Sequence, residues 1–124
     1  MVVFSNHRLG PSAEILVSRE VAQAMLHVTA DAARVVAEGR WEHELVAWLD
    51  DQARRPETID VGDIAWTPEH FDSQRRFVVD AILAASAGSQ HETALRRWAH
   101  LIDTHPRDSV RFGRRWAWQG SAIA

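Results

Sequence analysis

Apolar positions change their spacing several times along this chain, and each change predicts an element. Glu14-Ile15-Leu16-Val17-Ser18 is a short apolar run ending on an N-cap residue, which reads as a strand leading into a helix. Val21, Met25, Val28, Ala32, Val35 and Val36 then recur at helical spacing. They predict the buried face of a helix over roughly residues 19–38, stopped at Gly39. Trp41, Leu45, Trp48 and Leu49 share the face of a second helix, which Pro56 closes.

Thr58 to Trp66 reads as the next strand. Ile59 and Val61 share one parity while Ile64 and Trp66 share the other, so a bulge at Gly62 is expected. Thr67-Pro68-Glu69 supplies an N-cap, a first-position proline and an early acid for a third helix. Its apolar face is Phe71, Phe77, Val78, Ala81, Ile82 and Ala85, and Gly88 ends it. Ser89-Gln90-His91-Glu92 fits a capping box for a fourth helix, with Leu95, Trp98 and Ile102 inward and Pro106 at its close. Val110, Phe112, Trp116 and Trp118 alternate as a half-buried strand does. Val2-Val3-Phe4 reads as an edge strand followed by a Gly10-Pro11 turn, or as a loose tail.

Taken in order, these elements predict an α+β fold in one domain over residues 1–124. Four main helices form two helical hairpins packed on a small three- or four-stranded sheet. The spacing also suggests duplication. At an offset of 49, Ile15, Glu20, Asp31, Ala32 and Gly39 meet Ile64, Glu69, Asp80, Ala81 and Gly88. At an offset of 50, Glu42, Leu45, Trp48 and Pro56 meet Glu92, Leu95, Trp98 and Pro106. A duplicated strand–helix–helix unit over residues 14–57 and 63–107 is the architectural expectation.

Composition narrows the chemistry. Among 124 residues there is no Cys, which excludes disulfides, thiolate metal sites and cysteine nucleophiles. All 14 basic residues are Arg, so no lysine Schiff base can form. The formal net charge of −3 argues against a nucleic-acid partner. The longest clean apolar stretch, Ala81 to Ala85, is too short to span a bilayer. Met1-Val2-Val3-Phe4 runs at once into polar Ser5-Asn6-His7-Arg8, leaving no signal-peptide core. A soluble cytoplasmic protein without a membrane partner is expected.

No catalytic set assembles in the sequence. A nucleophile elbow, a G-x-G-x-x-G loop and a phosphate-binding loop are all missing, and no cofactor is implied. Glu69-His70 resembles an acid–base pair, although Glu69 is accounted for as a first-turn carboxylate. His100, Asp103 and His105 form the best metal-ligand cluster, but their spacing matches no standard metal motif. They centre the alternative reading, a small metal-dependent enzyme or metal-binding protein.

Charge distribution says more. Residues 38–72 hold ten acids against three arginines, while residues 93–124 hold six arginines against two acids. Part of the acid is expected to pair internally, as Asp50–Arg54, Asp51–Arg55, and Asp60 or Asp63 facing Arg111 or Arg115. The rest predicts an acidic surface that steers a basic partner protein. Six Trp is high for this length, and a surplus Trp suits a contact patch. The leading expectation is therefore a non-enzymatic protein-binding or regulatory module, of the inhibitor or immunity kind. Its contact residues would be Glu42, Glu44, Asp50, Asp51, Trp41 and Trp118. A homodimer joined through the C-terminal Arg/Trp strand is a third expectation.

Overall fold

Residues 1–6, 14–60 and 68–103 are described by the computed structural model. They form β1 (Val2–Ser5), β2 (Glu14–Val17), α1 (Arg19–Val36), α2 (Gly39–Arg54), β3 (Ile59–Asp60), α3 (Pro68–Ala84) and α4 (Gln90–Asp103). Four helices and a three-stranded sheet make an α+β fold. The Gly10-Pro11 turn, the Gly62 bulge, the Thr67 cap, Pro106 and the strand over residues 110–118 lie outside the described residues.

The sheet order is β2-β1-β3, so Val2-Val3-Phe4 belongs to the central strand rather than to an edge. β1 pairs antiparallel with β2 and parallel with β3. The register sets Phe4 opposite both Ile15 and Ile59, and Val2 opposite Val17. All five are buried, which makes one face of the sheet the floor of the core. Trp98 of α4 meets that floor edge-on at Phe4, with ring centroids 5.0 Å apart.

Helix ends follow the local sequence. Ser18 caps α1, its hydroxyl accepting the Val21 N–H at 3.2 Å. Ser89 does the same for α4 by accepting the Glu92 N–H, while the Glu92 carboxylate takes the Gly88 N–H at 2.8 Å. α2 has no side-chain cap, and there the Glu42 carboxylate takes the Glu38 N–H at 2.8 Å. Gly39 and Gly88 both have positive φ, 76° and 79°, which only glycine adopts without strain.

α1 packs against each of the other three helices. Its buried stripe is Ala22, Met25, Leu26, Thr29, Ala30 and Ala33. This corrects the face read from the valines: Val35 is 83% exposed and Val36 is also at the surface. A helix hemmed in by three neighbours needs small side chains where backbones approach, and alanine supplies them. On α3 and α4 the expected faces are the buried ones, with Phe71, Phe77, Val78, Ala81, Leu95, Trp98 and Ile102 all inside. Trp48 packs against the core half-buried.

Candidate functional site

α2 carries five of the six expected contact residues, and helical geometry sends them in different directions. Glu42 and Trp41 turn toward α3. The Glu42 carboxylate accepts the Ser73 hydroxyl at 2.7 Å and Arg76 at 3.0 Å, besides the Glu38 N–H. Burial pushes its carboxyl up, but the Glu38 N–H, Ser73 and Arg76 outweigh that and hold it below the usual range. Trp41 lies half-buried with its ring stacked on His70, 3.9 Å between centroids and the two planes nearly parallel. Burial lowers the His70 pKa against the opposing pull of Glu69.

Asp50 faces the other way, toward α1. The Arg34 guanidinium forks onto both Asp50 oxygens, at 3.0 and 3.2 Å, and reaches Asp31 at 3.2 Å. This bond holds the Asp50 carboxyl below its usual range and keeps Arg34 firmly charged. Asp51 pairs with Arg54 at 3.2 Å. The expected pairs Asp50–Arg54 and Asp51–Arg55 are thus replaced, because an arginine on the neighbouring helix reaches Asp50 with two donors. The fields of His27 and Arg54 also act on Asp50, so all these groups share one patch. Three carboxylates (Asp31, Asp50, Asp51) surround two guanidiniums (Arg34, Arg54) there. Glu44 stands apart in an exposed pair with Arg40 at 3.0 Å.

Asp31 and Arg34 of α1 complete the patch. Their spacing of three on a helix was readable, whereas the reach to Asp50 across sixteen positions was not. Trp118 lies outside the described residues.

Of the metal candidates, His100 is exposed on α4, and the Asp103 carboxylate is taken by Arg75 of α3. His105 lies outside the described residues. His100 and Asp103 line a groove of about 310 Å³ between α3 and α4, with Val79, Ile82, Leu83 and Ala99. Among the described residues, no three metal-ligating side chains come together.

One polar cluster had no counterpart in the sequence reading. At the carboxyl ends of β1 and β3, the buried Ser5 hydroxyl donates to buried Asp60 at 3.0 Å. Next to it, Asn6 donates to the Leu101 carbonyl in the last turn of α4 at 3.1 Å. The expected facing of Asp60 or Asp63 with Arg111 or Arg115 falls on Asp63, Arg111 and Arg115, which are outside the described residues. Strand ends of this kind position polar groups in many α/β proteins, but here the groups bind one another and the adjoining helix.

Among the described residues, no helix is long and apolar enough to cross a membrane. Compared with known proteins, the chain matches no family model, no curated protein and no solved structure.

Proposed function

We propose that the chain is a non-enzymatic protein-binding module whose contact surface is the face where α1 meets α2, and that its partner is a basic protein. The observation that carries this reading is the patch of Asp31, Asp50 and Asp51 around Arg34 and Arg54. It holds one carboxylate more than it holds guanidiniums, at the surface, and a two-pronged ion pair fixes Asp50 against Arg34 at its centre. A pre-ordered charged array loses little freedom on binding, and its surplus sign steers encounter with an opposite surface. Val35 stands one turn beyond Asp31 on α1 and is exposed, adding an apolar contact beside the charges. Glu44 extends the acidic side, while Glu42 and Trp41 serve the surface from behind by fixing α2 against α3.

The test is a pull-down from native lysate with the native chain beside an Asp31→Arg/Asp51→Arg variant. Both positions are exposed, so the fold is retained. The expected result is a basic protein held by the native chain and lost by the variant. Its association rate should fall steeply with salt. A partner that binds both forms equally, at a rate indifferent to salt, overturns the reading.

We also infer a duplicated unit over residues 14–57 and 63–107. Glu42 and Glu92, separated by the offset of 50, support it. Each accepts a backbone N–H from four residues upstream at 2.8 Å, from Glu38 just before the positive-φ Gly39 in one case and from the positive-φ Gly88 itself in the other.

A further inference from the structure

We draw no further inference here: the strongest candidate, the groove of about 310 Å³ between α3 and α4 that Val79, Ile82 and Ala99 line beside Arg75, Arg96 and His100, carries nothing because nothing among the described residues shows what covers it.

Discussion

At the residue scale, Glu42 shows how a side chain that looks like surface charge becomes a structural joint. It sits on a helix with no side-chain cap, so its carboxylate takes over the Glu38 N–H while also binding Ser73 and Arg76 of α3. A charge-assisted bond to a partly buried carboxylate outlasts solvent screening better than an exposed pair such as Arg40–Glu44. Glu42→Gln is therefore expected to cost about 1–2 kcal/mol at pH 7, measured by urea unfolding. Its acid dependence has a definite sign. The folded-state carboxyl is held below its ordinary value of 4.5, so its stabilisation is complete above that pH and disappears as pH falls through the lowered folded value. Native and variant curves should converge across that acid window, and curves that stay parallel would show that the carboxylate is not the linked group.

At the scale of elements, the legible helices were those whose buried faces are built from large residues. Phe71, Phe77, Leu95, Trp98 and Ile102 dominate any apolar count, and they are all inside. α1 misled because its core stripe is mostly alanine, which a hydrophobic pattern ranks below the exposed Val35 and Val36. Only contact with three other helices explains the preference for small residues, and a single sequence does not display that contact. β1 was ambiguous for a related reason: four residues fix a strand but not its neighbours. Of the candidate site, the acid excess on α2 was readable, but its partition was not. Arg34 and Arg76 reach it from other helices. The corrected register of α1 predicts a sharp contrast. Val35→Gln should change stability by no more than about 0.5 kcal/mol. Ala33→Leu should cost about 1–3 kcal/mol, because it forces three further carbons into a closely packed contact. Chemical denaturation of the two variants decides it, and equal costs would restore the valine face.

At the scale of the whole molecule, the first described element is tied to β3 and to α4, the last one. Phe4 meets Trp98, Asn6 donates to the Leu101 carbonyl, and Ser5 donates to Asp60. These contacts span 94, 95 and 55 positions, so the central strand, though paired with β2 and β3 earlier in the chain, completes its contacts only once α4 exists. Closing such loops is entropically costly and is repaid only when the core forms as a unit. α4 also supplies Leu95, Trp98 and Ile102, which are almost wholly buried and cover the sheet floor. A chain ending at Gly88 keeps α1, α2 and α3 but leaves Phe4 exposed and the Asn6 amide without its acceptor. It is expected to retain helical circular dichroism while losing any cooperative thermal transition and fixed near-ultraviolet signal, as a collapsed state without specific packing does. Adding the missing helix as a peptide of residues 89–103 should not restore cooperativity at micromolar concentration, because the loop closure becomes a bimolecular step. A truncated chain that melts sharply on its own would mean that the first three helices form an independent core and that the strand–helix ties are late additions to it.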